Sequence, residues 1–200
     1  MSEQVTGIIL CGGSSRRFDG ADKALLDFHG EPMVAHINAV LAQCSCTVFI
    51  SANRNQQRYL AYARVVEDDP AGGLGPLAGI NACLRQCATP CAVICPGDSP
   101  AVTPELFRRL IAALMQSEAE VACAHDGERR QNLHLAMRSR LQPGLARHLA
   151  AGHRSVHGWL DVLQTIDVDC RDLAETLFDI DSPGALAEKN RQIAMGERDS

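Results

Sequence analysis

The residues best able to do chemistry lie in a glycine-rich segment near the start of the chain. The apolar run Gly7–Leu10 leads into the pair Gly12-Gly13, and a short polar loop then leads to Arg17 and Lys23. Glycines carry no Cβ and so let backbone N–H groups approach an anion closely. The two basic side chains add the charge that a triphosphate requires. The segment has the spacing of neither of the two common nucleotide-binding motifs. The alternative to a nucleotide-binding loop is a glycine-rich surface turn with incidental basic residues.

One aspartate has the chemistry of a magnesium ligand. Asp98 follows the apolar run Cys91–Cys95 and stands in the turn Pro96-Gly97-Asp98-Ser99-Pro100. A carboxylate held there can bind Mg²⁺, which bridges phosphate oxygens. A magnesium ion at Asp98, together with Lys23, would suit a reaction in which a nucleophile attacks a phosphate and pyrophosphate leaves. Such a reaction needs positioning and charge neutralisation. The alternative is an Asx turn or a brace for the helix start at Thr103.

Two other segments fit the base or sugar of a nucleotide. Asp68, beside Glu67 and Asp69, could accept hydrogen bonds from a guanine or ribose edge, although charge alone favours a solvated acidic loop. The run Gly75-Pro76-Leu77-Ala78-Gly79 predicts a tight turn into a helix with little side chain, as a closely approaching ligand requires.

The bulk properties limit the classes of function. Two hundred residues fit one domain, and a net charge of −5 with 4% aromatic residues disfavours a general nucleic-acid binder. No apolar run approaches the roughly 20 residues of a membrane span, and no signal peptide is expected because a strand begins close to the N-terminus. We therefore expect a cytoplasmic monomer that contacts neither membrane nor nucleic acid.

Nine cysteines raise the question of a metal cluster. Cys83, Cys87, Cys91 and Cys95 recur at every fourth position, but prolines interrupt the run and none forms a C-x-x-C pair. We interpret the cysteines as reduced, mostly buried thiols. The dispersed histidines show no metal-ligand pattern, and each is interpreted as polar surface or a single substrate contact.

Strands and helices alternate through the first half of the chain. Such alternation predicts an α/β fold with a doubly wound, mostly parallel sheet and helices on both faces. The expected strands are Val5–Leu10, Thr47–Ser51, Arg64–Glu67, Cys91–Cys95, Val121–Ala124, Leu133–Met137, Gln164–Val168 and Leu177–Ile180. The expected helices are Pro32–Gln43, Gln56–Tyr62, Leu77–Cys87, one from Pro104 to about Gln116, Leu141–Ala150, Val156–Leu163 and one that begins at Pro183. Thr103 is expected to cap its helix.

Ligands of such sheets bind at the carboxyl ends of the strands, and the distinctive residues follow four of them. Gly12 follows the first strand, Ser51 ends the second, Asp68 follows the third and Asp98 the fourth. The sequence therefore predicts one site at this edge.

These motifs resemble the MobA-like nucleotidyltransferases. The segment from Leu10 to Lys23 resembles the family's L-A-G-G-x-S-x-R-M-G-G-x-x-K, Gly75–Gly79 its G-P-L-A-G, and Pro96–Pro100 its P-x-D-x-P. The likeness extends over about Val5 to Asn190. It includes the segments His125–Arg129 and Phe178–Pro183, which look like those of the members that act on molybdopterin.

The resemblance implies a Rossmann-like nucleotidyltransferase fold and transfer of GMP from GTP to the terminal phosphate of molybdopterin, with Mg²⁺ at Asp98 and release of pyrophosphate. It implies catalytic roles for Arg17, Lys23 and Asp98. It implies an acceptor side over about residues 125–190 and transient contact with cofactor-synthesis proteins or recipient molybdoenzymes. The implied nucleotide-binding residues are Leu10, Cys11, Gly12, Gly13, Lys23, Ser51, Asp68, Leu77 and Asp98, and the implied acceptor-binding residues are Arg129, Asp179 and Asp181.

Some positions depart from the family pattern. Cys11 replaces the usual alanine, Asp19 a glycine, and Asp179 and Asp181 stand where asparagine is common. The last two would repel a phosphate unless Mg²⁺ or an arginine intervenes. The alternatives are a cytidylyltransferase, a sugar-phosphate nucleotidyltransferase, and a nucleotide-binding regulator or cofactor chaperone without turnover.

Overall fold

A seven-stranded sheet forms the centre of the molecule. The computed structural model describes residues 4–12, 18, 20–68 and 75–196. The sheet contains β1 (Val5–Leu10), β4 (Thr47–Ser51), β5 (Arg64–Val66), β6 (Cys91–Pro96), β7 (Val121–His125), β8 (Arg130–Arg138) and β9 (Thr165–Asp169). A separate two-stranded hairpin pairs β2 (Asp27–Phe28) with β3 (Glu31–Pro32).

The strands run in the order β5-β4-β1-β6-β8-β7-β9. All neighbours pair in parallel except β8, which is antiparallel to both β6 and β7. The central strands β1 and β6 are apolar on both faces and almost fully buried, as expected of parallel strands covered from two sides. The prediction of a mostly parallel, doubly wound sheet is confirmed.

Helices cover both faces of this sheet. They are α1 (Met33–Leu41), α2 (Gln56–Tyr59), α3 (Pro76–Leu84), α4 (Pro104–Met115), α5 (Gln142–Ala150), α6 (Val156–Leu160) and α7 (Pro183–Gly196). The side chains of α1 and α4 share one core with Val5, Ile9 and Val93 of the sheet. Those of α3, α5 and α6 share the other with Ile8 and Ile94. Successive strand residues thus face opposite cores. No helix in the described ranges is long and apolar enough to cross a bilayer.

Three details of the sequence prediction are wrong. Several helices are shorter than expected, α2 most clearly, since it ends at Tyr59 instead of Tyr62. Thr103 occupies the N-cap position of α4, but its hydroxyl is buried without a capping bond. The segment Leu177–Ile180 forms no strand. The Ile180 N–H donates to the carbonyl of Asp98, and its buried side chain packs with Phe18 and Phe28.

Candidate functional site

Backbone hydrogen bonds gather the ends of β1, β4 and β6 into one edge. The Cys11 N–H donates to the Ser51 carbonyl at 2.8 Å, and the Gly97 N–H donates to the Leu10 carbonyl at 3.0 Å. A Cβ at Gly97 would lie 2.9 Å from the Cys11 sulfur and 3.0 Å from the Leu10 oxygen, so this position accepts no side chain. The convergence predicted from the sequence is confirmed for these three strand ends.

Lys23 lies between two carboxylates at this edge. Its Nζ is 3.1 Å from Oδ2 of Asp98 and 2.8 Å from Oδ1 of Asp181, and its side chain is 21% exposed. Burial lowers the pKa of Lys23, but the hydrogen bonds to Asp181 and Asp98 outweigh burial and leave that pKa raised. Lys23 is therefore a firmly charged ammonium group, as a phosphate-binding role requires.

The carboxyl of Asp98 has a raised pKa. Burial and the neighbouring Asp179 raise the pKa of its carboxyl, against the opposing effect of Lys23. Asp179 accepts a hydrogen bond from the Ser99 hydroxyl. The side chain of Asp98 contacts Lys23, so the geometry favours the charged site over the brace for the helix start at Thr103. Lys23 thus contacts Asp98 and Asp181, and Asp179 is a third carboxylate, whose charge acts on Asp98.

Asp68 is fixed in a buried network at the ends of β4 and β5. Its Oδ1 accepts from the Ser51 hydroxyl at 3.3 Å, and its Oδ2 accepts from Nδ2 of Asn53 at 2.8 Å. The Asn53 side chain also receives the Asp68 N–H at 2.9 Å. The side chain of Asp68 is buried, which excludes the solvated-loop interpretation for this residue. Ser51 thus positions Asp68, a role that the sequence did not reveal.

A second hydrogen-bond network, which the sequence also did not predict, holds the turn that carries Lys23. Asp22 accepts from the Tyr59 hydroxyl at 2.6 Å and from Nδ2 of Asn55 at 3.1 Å. Tyr59 is fully buried, and Asn55 adopts a positive φ of 53° just before α2. Burial, then the nearby Cys11, raises the pKa of Tyr59, so its hydroxyl remains a donor. The spacing of 37 residues between Asp22 and Tyr59 gives no sequence signal.

The other residues implied in nucleotide binding lie in different environments. Cys11 is buried. Burial, and to a lesser extent the charge of Asp22, raises the pKa of its thiol well above the usual value. This argues against a thiolate nucleophile. Gly12 faces open space, whereas the side chain of Leu77 is fully buried in the core under α3. Gly13 and Arg17 lie outside the described residues.

A pocket of about 640 Å³ opens beside the carboxylate cluster. Its walls include Pro96 and Asp179 on the Asp98 side and His125, Arg129, His134 and His157 from the second half of the chain. Arg129 is largely exposed at the pocket, with its Nε 4.0 Å from Asp126. The structure thus brings Arg129 and Asp179 to one pocket, while Asp181 lies against Lys23.

His134 departs from the expectation of surface histidines. Its ring is 2% exposed, and burial lowers its pKa to about 4 despite the charge of Asp98. The ring is therefore neutral near pH 7. Within the described ranges, no group of three or more histidines, cysteines, aspartates or glutamates is arranged to hold a metal ion by itself, and all nine cysteines are free thiols.

The family model and the similar proteins agree on one family. A model of the MobA-like NTP transferase domain matches residues 7–166. The chain is 35% identical over 181 residues to a molybdenum cofactor guanylyltransferase from Vibrio cholerae, covering 90% of this chain and 89% of that protein. It is 33% identical over 196 residues to another from Shewanella loihica, covering 97% of this chain and all of the relative.

Solved structures share the fold at lower identity. Molybdopterin-guanine dinucleotide biosynthesis protein A from Archaeoglobus fulgidus superposes with a TM-score of 0.79 at 19% identity, covering 95% of this chain and 99% of that one. A 2-C-methyl-D-erythritol 4-phosphate cytidylyltransferase from Thermus thermophilus gives 0.69 at 14% identity, covering 94% and 98% of the two chains. The fold is that of the nucleotidyltransferases.

Proposed function

Because the chain belongs to the MobA-like NTP transferase family, and is thus a nucleotidyltransferase, we propose that it transfers GMP from GTP to the terminal phosphate of the molybdopterin cofactor. The observation that carries this proposal is the pocket beside the cluster of Lys23 and Asp98. One ligand can bind at the cluster and another in the pocket, with the reacting groups meeting at their border. The names of the relatives supply the identity of the two substrates.

The nucleotide side consists of the strand ends and α3. The open backbone around Gly12 can receive phosphates, and Lys23 supplies positive charge for them. Asp68 keeps unused acceptor lone pairs after its bonds to Ser51 and Asn53, so it can accept two donors of a guanine edge. Arg17 is proposed to act beside Lys23 on the phosphates, on the basis of the sequence motif alone.

The carboxylates fit a magnesium ion. Their oxygens are the ligands that Mg²⁺ prefers, and the charge of Asp179 acts on Asp98 from close by. Magnesium is usually held by one or two carboxylates, with phosphates and water completing the shell, so a complete protein cage is not required. Asp98 would hold the ion, with Asp179 and Asp181 close by. When bound, the ion neutralises charge on the phosphates and orients them.

The reaction needs no covalent enzyme intermediate. An oxygen of the acceptor's terminal phosphate attacks the α-phosphorus of GTP, a new P–O bond forms, and the bond from the α-phosphorus to the bridging oxygen of pyrophosphate breaks. Lys23 is drawn to the phosphates as negative charge grows on them. Arg129 is proposed to bind an anionic group of the acceptor, which its exposure at the pocket supports.

We further propose that the protein acts in the cytoplasm as a monomer and contacts its cofactor-synthesis partners or recipient enzymes only transiently. The nine free cysteines suit a reducing compartment.

Pyrophosphate release tests the proposed reaction. Purified protein is given Mg²⁺, molybdopterin and either GTP, CTP or ATP, and release is expected with GTP. Preference for CTP would assign the chain to cytidylyl transfer instead, and binding without release would indicate a non-catalytic protein.

The variant Asp98→Asn tests the magnesium assignment. It is expected to remain folded but to lose nearly all turnover, because the amide is a poor ligand for Mg²⁺. Retention of most of the rate at saturating Mg²⁺ would remove Asp98 from the metal role.

A further inference from the structure

Strand β8 leaves its register at the wall of the pocket. Its pairing with β7 passes from Cys123–Leu135 directly to Ala124–Gln131, so three residues of β8 have no register partner on β7. On its other side, the pairing with β6 ends at Ile94–Leu135. The bulged residues Asn132, Leu133 and His134 all line the pocket. Bulges of this kind redirect side chains and recur beside active sites.

Two atoms in this bulge are buried and unpartnered. Within the described part of the chain, neither Oδ1 of Asn132 nor Nε2 of His134 has a hydrogen-bond partner. Leaving such atoms unpaired in the folded protein is unfavourable, because they have lost their hydrogen bonds to water. Natural proteins keep most buried polar atoms bonded, so a pair of exceptions lining one pocket requires an explanation.

The chemistry of the two side chains suggests what they bind. An amide offers a carbonyl acceptor and an NH₂ donor, and a neutral imidazole offers one donor and one acceptor. The pKa of His134 near 4 keeps the ring neutral at physiological pH. Arg130, on the same wall of the pocket, is paired with Asp167. The inner wall is therefore suited to an uncharged heterocycle with alternating donors and acceptors.

We propose that Asn132 and His134 bind the pterin ring of the acceptor through the hydrogen-bonding edge of its pyrimidinone. This rests on the proposed function and names the part of the substrate that occupies this wall of the pocket. The volume of about 640 Å³ lies within the range of small-molecule sites. With the pterin at the bulge, the phosphate end of the acceptor points toward Pro96 and Asp179, at the border with the carboxylate cluster.

Binding of a simple pterin tests this assignment. 6-Hydroxymethylpterin carries the ring without phosphate or metal, and its fluorescence reports its dissociation constant. The variants His134→Leu and Asn132→Leu remove the hydrogen-bonding atoms at similar volume and are expected to weaken pterin binding at least tenfold. GTP affinity, measured by calorimetry, should stay within twofold of the wild-type value.

Two comparisons separate ligand binding from a structural role. His134→Gln restores a neutral amide and should bind the pterin within about threefold of wild type. The melting temperature of His134→Leu should not fall, because an unpartnered buried polar atom is removed. His153→Leu, at an exposed position outside the pocket walls, is the control and should change neither ligand.

The outcomes separate this inference from the proposed function. The assignment of Asn132 and His134 is wrong if the wild type transfers GMP but does not bind the pterin. It is also wrong if the leucine variants bind the pterin as tightly as the wild type. An equal loss of pterin and GTP binding would also contradict it. If the pterin binds and depends on both residues but no GMP transfer occurs, the assignment is supported and the proposed reaction fails.

Discussion

Lys23 is held by two carboxylates, and each of them bears differently on catalysis. Asp98 is proposed as the magnesium ligand, whereas Asp181 is 65% exposed and contacts the lysine. Incoming phosphates must compete with Asp181 for the same ammonium group. An exposed ion pair of this kind is worth about 0.2–1 kcal/mol. Asp181, a carboxylate that the sequence suggests would repel a phosphate, is thus paired with Lys23 until a phosphate binds.

Replacing Asp181 should make this lysine more available. We expect Asp181→Asn to lower the KM for GTP by about 1.4-fold to fivefold, the factor that corresponds to such a pair. Lys23→Ala should lower kcat/KM for GTP at least about tenfold. Steady-state kinetics with varied GTP measures both. A KM that rises in Asp181→Asn would show that Asp181 assists nucleotide binding.

Asp68 should select guanine. Its carboxylate is held by Ser51 and Asn53, so it can accept the N1–H and N2–H donors that cytosine and adenine do not present together. Such a pair of charge-assisted bonds can supply on the order of 2–3 kcal/mol of discrimination. Titration of GTP, CTP and ATP into Asp68→Ala should show loss of the preference for GTP. Equal weakening of all three nucleotides would instead place Asp68 on the ribose.

His134 should make the fold sensitive to mild acid. Its pKa is about 4 in the folded protein and about 6.5 when unfolded, so the unfolded chain takes up the proton first as pH falls. Stability from this group is complete above pH 6.5 and declines as the pH falls toward 4. Between pH 7.5 and pH 5 the loss is about 2 kcal/mol.

Urea unfolding of wild type and His134→Leu at these two pH values measures that contribution. Other titrating groups affect both proteins, so the difference between them isolates His134. The variant should lose about 2 kcal/mol less than wild type on acidification. Equal losses would mean that the ring is protonated or accessible in the folded protein.

At the scale of elements, the approach of α3 to β4 depends on one glycine. A Cβ at Gly79 would lie 2.2 Å from the Ser51 hydroxyl and 3.4 Å from Oδ1 of Asp68. Gly79→Ala must therefore push α3 away or displace Ser51, and we expect a loss of about 1–3 kcal/mol of unfolding free energy together with weaker GTP binding.

Gly144→Ala is the matched control for this prediction. Gly144 lies in α5, where an added Cβ meets open space, so alanine should be neutral or stabilise the helix by up to about 1 kcal/mol. Urea unfolding and GTP titration of both variants give the comparison. Unchanged stability and GTP affinity in Gly79→Ala would show that α3 tolerates displacement from the site.

The elements differ in how well the sequence predicts them. Strands β1 and β6 are long buried runs whose pattern is unambiguous, and their predicted bounds agree with the structure to within one residue. Leu177–Ile180 has the composition of a strand but pairs with no strand in the described part of the chain. It lies near the carboxyl end of β6, where the Ile180 N–H donates to the Asp98 carbonyl. Local composition cannot report that a partner strand is absent. The antiparallel direction of β8 is likewise a property of the whole sheet.

At the scale of the whole molecule, the fold explains why part of the site was predictable. Parallel strands bring their carboxyl ends to one edge, so residues following them must converge, as Asp68 and Asp98 do. Contacts between side chains distant in sequence were not predictable. Examples are the Asp22–Tyr59 bond, the Lys23–Asp181 pair and the unpartnered state of His134. These depend on packing that no local pattern encodes.

The fate of the GTP phosphates shows whether the protein transfers GMP. The protein is incubated with molybdopterin, Mg²⁺ and GTP labelled either at the α- or at the γ-phosphate, and the products are separated. We expect the α label to enter a guanine dinucleotide form of the cofactor, while the γ label leaves as pyrophosphate. Transfer of the γ label to the acceptor, or retention of both labels in GTP, would contradict it.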